Sequence, residues 1–401
     1  MSKVVVIGAG QAGSSCVAKL RTSGFEGKIT LIGEEAAPPY QRPPLSKKYL
    51  LGEMELERLY LRPESYYAEN DISLRLSTRV TGVDAASKTL QIDDEMLSYD
   101  DLVLTTGSHP RRLPATIGGD LDGVYVVRGL SDVDAMAHEF KEGARLLIVG
   151  GGYIGLEAAA VGASKGLKVV LIEAADRILK RVAAKETSDF FREVHRGKGV
   201  DIREGVMLER LVGEGRVSGA RLSDGTEIEA DFVVVGVGID PSTALAQAAG
   251  VALENGIRVD EQGRTSDANI WAAGDCAAFP HRGEMLRLES VPNAIDMAEC
   301  VAENIMGAGK SYMPQPWFWS DQYDVKLQIA GLNAGYDNVV TRPGKTGKSF
   351  WYFKGSNLLA VDAANDARAY MIGKRLIDAG KTADPAVVAD PDGDLKQFLK
   401  A

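Results

Sequence analysis

A glycine-rich turn that occurs twice constrains this chain more than any other feature. The first copy spans residues 8–13 (GAGQAG) and the second spans residues 150–155 (GGGYIG). In such a turn the first glycine permits a tight bend, the second lets backbone approach a diphosphate, and the third lets a helix pack closely on a strand. Copies about 140 residues apart are too distant for a solenoid, so the duplication predicts two nucleotide-binding domains.

Each turn lies between a predicted strand and a predicted helix, and a second strand follows. The first unit has strands at 3–8 and 28–33 with a helix at 12–23, and the second has strands at 145–150 and 168–173 with a helix at 154–165. The start of each helix directs free N–H groups and the positive end of its dipole towards phosphates. The candidate nucleotide-binding residues are Gly8, Gly10, Ala12, Gly13, Gly150, Gly152, Tyr153, Ile154 and Gly155.

Acidic residues follow each unit where a ribose is expected. Glu34 and Glu35 come after the first unit, and Glu173 ends the second. A carboxylate there accepts from a ribose 2′-OH and repels a 2′-phosphate. Glu173 therefore favours NADH over NADPH, although the nearby Arg177 and Arg181 oppose this preference. The pattern leaves open which turn binds which nucleotide.

Composition bounds the remaining possibilities. A chain of 401 residues is too long for one hydrophobic core, and its net charge of -10 makes nucleic acid and anionic membranes unfavourable partners. No apolar run approaches the ~20 residues that a membrane-spanning helix needs. The first residues enter a strand pattern directly, which favours a cytoplasmic protein.

Three further segments define the predicted domains. Residues 101–107, 230–238 and 270–275 each resemble a strand that ends near a glycine beside a ligand, which adds Gly238 and Asp275 to the candidates. A helix at 294–306 follows the third. After a proline-rich stretch, strand patterns at 325–331, 339–341, 349–354 and 358–362 precede a helix at 364–378. The predicted fold is α/β, with two Rossmann-like dinucleotide-binding domains and a C-terminal α+β domain.

The three cysteines, Cys16, Cys276 and Cys300, form no closely spaced pair. A redox-active disulfide is therefore not expected, and neither is a metal site. Cys16 and Cys300 are predicted to be packing residues in helices. Cys276 is expected to be buried near the ligand of the first domain.

Five segments carry a family resemblance: residues 39–47, 104–107, 265–275, 289–294 and 316–323. With them, the chain resembles the ferredoxin reductases of the putidaredoxin reductase type, which are flavoproteins with two dinucleotide-binding domains. The resemblance extends over essentially the whole chain. It implies FAD binding by residues 1–109 and 240–314, NADH binding by residues 110–239, and a C-terminal domain, residues 315–401, that covers the reactive edge of the flavin.

The resemblance also implies roles for single residues. The implied flavin contacts are Ala12, Gly13, Glu34, Arg42, Lys47, Val80, Arg128, Asp275 and Val291. From the residues alone, Arg42 could instead be a surface residue, Val80 a core residue and Asp275 the N-cap of a helix. Arg181 and Gly238 are assigned to the NADH site.

Hydride transfer depends mainly on positioning, and the expected nicotinamide position is at Tyr153 and Ile154. The resemblance implies that Lys47 and Glu157 form a catalytic pair beside the flavin, which could polarise flavin N5 and orient the nicotinamide carboxamide. A purely structural ion pair is the alternative. Glu289 is a second candidate for binding the carboxamide.

The implied reaction passes electrons from NADH through FAD to a 2Fe-2S ferredoxin that serves a haem monooxygenase. The family places Trp319 near the ferredoxin-docking face, and a core aromatic cluster is the alternative for this residue. Since the expected partner is acidic, a local basic patch is predicted on the acidic enzyme. The candidates for that patch are Lys326, Arg368, Lys374 and Arg375.

Two other functions remain open. The acceptor could instead be rubredoxin, a dioxygenase ferredoxin or a quinone. A redox-sensing protein similar to apoptosis-inducing factor is a further alternative, which the net charge of -10 disfavours. The expected oligomeric state is a monomer or a weak dimer.

Overall fold

The computed structural model describes residues 1–400, and the chain divides into two compact units. Unit 1 consists of Met1–Arg42, Glu55–His109 and Ile239–Pro316, and unit 2 consists of Pro43–Met54, Pro110–Gly238 and Trp317–Ala401. Unit 2 thus contains most of both the predicted NADH-binding and C-terminal domains. The boundaries between the four predicted segments stay a prediction.

Unit 1 is built around a five-stranded parallel sheet. Its strands lie in the order Ile270–Ala272, Asp101–Leu104, Lys3–Ile7, Lys28–Ile32 and Ile72–Arg75. The central strand is the one that precedes the first glycine turn, and Val4, Val5 and Val6 are buried in it. Valine-rich strands of this kind suit a parallel sheet that is covered on both faces.

Two long helices of unit 1, Gln11–Thr22 and Val291–Ile305, pack against each other. The second begins three residues before the predicted start, because the Ser290 hydroxyl caps it by accepting from the N–H of Asn293 at 3.3 Å. The remaining elements of unit 1 are short. They are strands Gly82–Asp84, Thr89–Ile92, Glu95–Ser98, Ile257–Arg258, Ala277–His281 and Glu284–Leu286, helices Ser65–Glu69 and Ala244–Ala248, and the 3-10 turn Leu56–Arg58.

Short strands at Ser108–Pro110 and Ile239–Pro241 lie where the chain leaves and re-enters unit 1. Unit 2 then repeats the parallel design. Its strand order is Asp201–Glu204, Lys168–Glu173, Arg145–Val149, Phe232–Val235 and Val124–Val126. Helices Leu130–Ala137, Tyr153–Ser164 and Lys185–Gly197, 3-10 turns Pro43–Ser46 and Ala115–Ile117, and an antiparallel sheet of Leu208–Glu214, Arg216–Leu222 and Glu227–Glu229 accompany it. The central strand again leads into a glycine turn.

The second large sheet of unit 2 is antiparallel. Its strand order is Trp317–Gln322, Val325–Gly331, Asn357–Ala364, Lys348–Lys354 and Asn338–Pro343. Trp351 and Phe353 pack in a cluster with side chains of helix Ala367–Asp378, whereas Phe350 and Tyr352 pack with Ala184. This alternation shows that strand Lys348–Lys354, an inner strand of the sheet, is covered on both faces. Helices Pro385–Ala389 and Gln397–Lys400 complete the chain that is described.

The predicted helix at 364–378 begins instead at Ala367. Ala364 belongs to a strand and pairs with Leu327, and the Asp366 side chain caps the helix by accepting from the Ala369 N–H at 3.0 Å. Strand Trp317–Gln322 and helix Lys185–Gly197 were not predicted. Among the described residues, no helix is both long and apolar enough to cross a membrane.

Candidate functional site

The first glycine turn has the geometry of a diphosphate cradle. Gly8 has a φ of 111°, and a Cβ there would lie 2.1 Å from the Thr105 carbonyl oxygen. A Cβ on Gly13 would lie 2.0 Å from the Gly8 carbonyl oxygen, whereas one on Gly10 would meet no atom within 4 Å. Packing therefore requires glycine at the first and third positions, and the second presents bare backbone to open space. Since Gly10 has no side chain to cap the helix, the first-turn N–H groups suit an anion.

The second glycine turn, in unit 2, reproduces this arrangement. Gly150 has a φ of 110°, and a Cβ there would lie 2.3 Å from the Gly236 carbonyl oxygen. A Cβ on Gly155 would lie 2.1 Å from the Gly150 carbonyl oxygen, and one on Gly152 would meet nothing within 4 Å. Each unit thus fits one dinucleotide by the same backbone device.

Glu173 is held at the end of its strand, next to the second turn. Its Oε2 accepts from the Gly151 N–H at 2.7 Å, and its Oε1 accepts from the Ala175 N–H at 2.7 Å. Arg177 is bound elsewhere, because its guanidinium donates to the Ser188 hydroxyl at 2.5 Å and to the Ala184 carbonyl at 3.3 Å. The negative charge of Glu173 is therefore not neutralised by Arg177.

In unit 1 the two predicted ribose acids have different surroundings. Glu34 is exposed and lies 3.4 Å from Arg79. Glu35 accepts from the Tyr40 hydroxyl and from the Arg42 guanidinium, and that guanidinium lies 5.0 Å from the centre of the Tyr40 ring. Arg42 is thus fixed by Glu35 and Tyr40.

Asp275 lies between two polar partners in unit 1. Its Oδ2 accepts from the Ser108 hydroxyl at 3.0 Å, and its carbonyl oxygen accepts from Arg287 at 3.0 Å. The residues after it form strand Ala277–His281, so the alternative that Asp275 caps a helix is wrong. Glu289 pairs with Arg287 through Oε1 at 2.7 Å, and its contact with the nicotinamide amide stays a prediction.

Three other predicted flavin contacts have plain structural positions. Val80 is buried in the main core cluster of unit 1. Val291 is the first residue of helix Val291–Ile305. Arg128 is half-buried just after strand Val124–Val126 of unit 2, and its backbone N–H donates to Asp132 at 3.1 Å. Their contacts with flavin stay predictions.

Gly238 follows strand Phe232–Val235 of unit 2, and two arginines lie close to it. Gly238 has a φ of 112°, and a Cβ there would lie 3.8 Å from Arg111 Nη1 and 4.0 Å from Arg181 Nη2. Arg181 and Gly238 were both predicted as residues of the NADH site, whereas Arg111 was not among the predicted residues. Nothing in the local sequence distinguishes Arg111, because only the fold brings it to this glycine.

Lys47 and Glu157 form a buried ion pair inside unit 2. Lys47 Nζ lies 2.8 Å from Glu157 Oε2, and their side chains are 15% and 6% exposed. The Ser46 hydroxyl donates to Oε2 at 2.7 Å, and the Ser320 hydroxyl donates to Oε1 at 2.7 Å. A buried carboxylate that is paired and satisfied in this way has a fixed position. The sequence did not indicate either serine as a partner.

Helix Tyr153–Ser164 and strand Trp317–Gln322 meet at this pair. Tyr153 and Glu157 lie one turn apart on the helix, and Phe318 and Ser320 lie on one face of the strand. The Tyr153 and Phe318 ring centres are 5.1 Å apart. Among the described residues the buried Tyr153 hydroxyl has no hydrogen-bond partner, and burial raises its pKa. Ile154, beside it, is 40% exposed.

Trp319 lies on the opposite face of the same strand. Its ring stacks on that of Trp317, with centres 5.4 Å apart and an angle of 29° between the planes. Both rings are only partly buried. Trp317 also packs against the core cluster that contains Trp351 and Phe353, so the pair lies at the edge of that core.

The cysteines do not supply a reactive thiol. All three are buried and free, and burial raises the pKa of Cys16 to about 12. Burial also raises the pKa values of Cys276 and Cys300. Since the thiolate is the nucleophile, these positions are unreactive near neutral pH.

Comparisons with known proteins agree along the chain. Residues 2–298 match the family described as pyridine nucleotide-disulphide oxidoreductase, and residues 317–399 match the family described as reductase C-terminal. A ferredoxin–NAD(P)+ reductase from Sphingomonas sp. is 44% identical, with 99% of this chain and 97% of the relative covered. Rhodocoxin reductase from Rhodococcus erythropolis is 40% identical, with 98% and 93% covered.

Solved structures show the same similarity. The covalent complex of putidaredoxin reductase with putidaredoxin matches at a TM-score of 0.96 and 37% identity, covering 100% of this chain and 98% of that chain. A ferredoxin reductase from Rhodopseudomonas palustris matches at a TM-score of 0.95 and 39% identity, covering 99% of each chain. The predicted α/β fold with Rossmann-like domains and a separate C-terminal domain is therefore confirmed. The chain belongs to the pyridine nucleotide-disulphide oxidoreductase family.

Proposed function

We propose that this chain is an NADH-dependent ferredoxin reductase, which takes electrons from NADH through FAD and delivers them singly to a 2Fe-2S ferredoxin. Members of the family use FAD and NAD(P)H, and the relatives above are oxidoreductases. The observation that carries the proposal is the pair of bare glycine turns, one in each unit. Both have room where a diphosphate must approach backbone.

We assign FAD to unit 1 and NADH to unit 2. In unit 1, the first turn would hold the diphosphate, and Glu35, Arg42 and Asp275 supply polar groups around it. In unit 2, the second turn would hold the NADH diphosphate. When bound, FAD supplies the exchange between a two-electron hydride donor and a one-electron acceptor.

The corner around Glu173 supports NADH over NADPH. The carboxylate is fixed by two backbone N–H groups, and Arg177 is turned to Ser188. A 2′-phosphate would meet a negative charge there without Arg177 to neutralise it. Arg111 and Arg181 lie at Gly238 instead, where they suit a diphosphate.

In the proposed reaction, Glu157 and Lys47 are the catalytic pair. Glu157 is held by the Ser46 and Ser320 hydroxyls, so it holds the Lys47 ammonium in one place. A fixed ammonium in a dry site stabilises developing negative charge and requires little reorganisation. Tyr153 lies one helical turn before Glu157, where the helix begins after the second glycine turn.

The acceptor we propose is a 2Fe-2S ferredoxin that serves a haem monooxygenase. The relatives include ferredoxin reductases and a reductase solved with its bound putidaredoxin. The stacked, partly exposed Trp317 and Trp319 fit a docking surface. Of the four cations predicted for the basic patch, Arg368 and Lys374 already pair with Asp394 and Asp378, so we assign the patch to Lys326 and Arg375, which are exposed. We place the reaction in the cytoplasm, where NADH is available.

The test is a half-reaction experiment on the purified protein. NADH added without oxygen should bleach the bound flavin, and NADPH should do so far more slowly. Adding oxidised 2Fe-2S ferredoxin should then restore the flavin spectrum, with two ferredoxins reduced for each NADH. Recovery with rubredoxin or a quinone, but not with a ferredoxin, would move the function to another acceptor. A flavin that NADH leaves oxidised would contradict the proposal.

A further inference from the structure

A continuous hydrogen-bonded chain of side chains runs through unit 2 and ends on Glu157. The Tyr323 hydroxyl lies 3.1 Å from His195 Nδ1, and His195 Nε2 lies 2.8 Å from Gln322 Oε1. Gln322 Nε2 donates to the Ser320 hydroxyl at 3.2 Å, which donates to Glu157 Oε1 at 2.7 Å. The side chains of His195, Gln322 and Ser320 are fully buried. We call these four residues, Tyr323, His195, Gln322 and Ser320, the relay.

The carboxylate end fixes the direction of every hydrogen bond in the relay. Glu157 accepts only, so the single hydroxyl hydrogen of Ser320 points to it. Ser320 must then accept from Gln322, which places the amide nitrogen of Gln322 towards Ser320 and its oxygen towards His195. That oxygen needs a donor, so His195 carries a hydrogen on Nε2.

His195 is neutral in this position. Burial lowers its pKa, and Gln322 and Tyr323 are the side chains that contact its two nitrogens. At this end of the relay, the Lys198 ammonium lies 5.6 Å from the centre of the Tyr323 ring. A neutral imidazole with hydrogen on Nε2 has a bare Nδ1, so the Tyr323 hydroxyl donates to it. All four donors therefore point towards Glu157, an arrangement in which each bond strengthens the next.

The fold brings the side chains of the relay together. Ser320 and Gln322 share one face of strand Trp317–Gln322, and His195 comes from the end of helix Lys185–Gly197. Tyr323 follows the strand with a φ of 56°, a left-handed conformation that a tyrosine rarely adopts. Tyr323 is the first residue of the two-residue turn between strands Trp317–Gln322 and Val325–Gly331, and a hairpin of this kind favours a positive φ. From this turn the Tyr323 hydroxyl reaches the imidazole.

We propose that the relay positions Glu157 for hydride transfer. Lys47 and Ser46 hold Oε2 of the carboxylate, and among the described residues only Ser320, the end of the relay, donates to Oε1. His195, Gln322 and Ser320 are thus positioning residues that act through Glu157 and do not touch the nucleotides. The proposal rests on the role of Glu157 and Lys47 in the proposed function.

The first test measures the tautomer and does not depend on activity. Nitrogen NMR of protein labelled in its 4 histidines should show His195 with a protonated Nε2 and a bare Nδ1. This state should persist across the range in which an ordinary imidazole titrates. Ser320→Ala should shift both His195 nitrogen signals, whereas Ser349→Ala, the same change at another buried serine of that sheet, should not. A hydrogen on Nδ1, or a His195 signal indifferent to Ser320→Ala, would overturn the relay.

The second test measures flavin reduction at saturating NADH by stopped flow. Ser320→Ala should lower the rate constant about tenfold, since it removes a hydrogen bond to a charged group, while flavin content and NADH affinity stay unchanged. Gln322→Met should do the same if Ser320→Ala fails to fold. His195→Asn combined with Ser320→Ala should cost no more than Ser320→Ala alone, because the residues act as a unit. Ser349→Ala is again the control.

Glu157→Ala separates the possible failures. If Glu157→Ala reduced flavin slowly while Ser320→Ala reduced it at the wild-type rate, Glu157 and Lys47 would act without the relay. The proposal would then be wrong. A Glu157→Ala at the wild-type rate would also overturn it, because there would be no role for the relay to support. In either case the wild-type reaction with ferredoxin still decides the proposed function on its own.

Discussion

Glu173 accepts a hydrogen bond from the backbone N–H of Gly151, at 2.7 Å, so the acid that would meet the ribose is tied to the turn that would meet the diphosphate. Replacing Glu173 by Gln removes the charge and keeps an acceptor for Gly151. We expect the ratio of kcat/KM for NADH to that for NADPH to fall about tenfold, since like charges at a few ångströms cost about 1–4 kcal/mol. Steady-state assays with both nucleotides check this.

Glu214→Gln is a suitable control, because this carboxylate is exposed on another sheet of unit 2. Its nucleotide preference should equal that of the wild type. An unchanged preference in Glu173→Gln would show that another group sets the choice of nucleotide.

The two glycine turns allow a matched pair of substitutions in each unit. A Cβ on Gly10 or Gly152 would meet no atom within 4 Å, so Gly10→Ala and Gly152→Ala should fold. Gly10→Ala should be purified with little flavin, because the methyl group occupies the space of the diphosphate. Gly152→Ala should keep its flavin, but NADH should bleach it at least tenfold more slowly. Absorption spectra and anaerobic titrations measure both outcomes.

Gly13→Ala and Gly155→Ala are the contrasting variants. Their Cβ atoms would lie 2.0 and 2.1 Å from carbonyl oxygens of the same turns, so both proteins should lose stability outright. Thermal melting distinguishes these effects from the loss of binding alone. If Gly10→Ala bound flavin normally, the assignment of FAD to unit 1 would be wrong.

The glycine turns could be predicted because their chemistry is local. Three glycines at fixed spacing need no distant residue to explain them, and the structure places them as expected. The partners of Glu157 could not be predicted in this way. Ser46 and Ser320 are 111 and 163 residues away from it in the chain. A serine gives no sign in the sequence of which carboxylate it will meet.

Two other differences have physical causes. Strand Trp317–Gln322 was not predicted, because its residues WFWSDQ do not alternate between apolar and polar types. Its two faces have separate uses, with Trp317 and Trp319 on one and Ser320 and Gln322 on the other. Asp275 could also have capped a helix, since a glycine and an aspartate precede many helices. Pairing of the next residues as a strand decided against it.

Lys47→Met should slow flavin reduction by NADH at least tenfold, because it removes the ammonium and keeps the volume of the side chain. The variant should also be less stable by roughly 3 kcal/mol, since a buried carboxylate loses its partner. Stopped-flow kinetics and urea unfolding measure the two effects separately. If Lys47→Met lost the expected stability but reduced flavin at the wild-type rate, Lys47 would have only a structural role.

Ferredoxin reduction should weaken as salt is added. The chain has a net charge of -10, so attraction of an acidic partner depends on a local patch, which we place at Lys326 and Arg375. Lys326→Gln with Arg375→Gln should lower the rate at low ionic strength about tenfold and flatten its dependence on salt. Reduction of a small neutral acceptor should be unaffected. A steep salt dependence that survives in the double variant would place the docking patch elsewhere.

Asp362 should make unfolding depend on pH in a direction opposite to that of most carboxylates. It is fully buried, accepts from Thr187 at 2.9 Å and from Tyr352, and burial raises its pKa to about 6 from an ordinary value of 3.8. The folded state therefore binds more protons than the unfolded state between these values, so the Asp362 contribution to stability is present below about pH 4 and is lost as pH rises through 6. Asp362→Asn should remove this loss, which is roughly 3 kcal/mol over the whole range and roughly 2 kcal/mol between pH 4.5 and 7. Urea unfolding of the wild type and of Asp362→Asn at pH 4.5 and 7 measures this difference in the free energy of unfolding. If both free energies changed equally with pH, the prediction would be wrong.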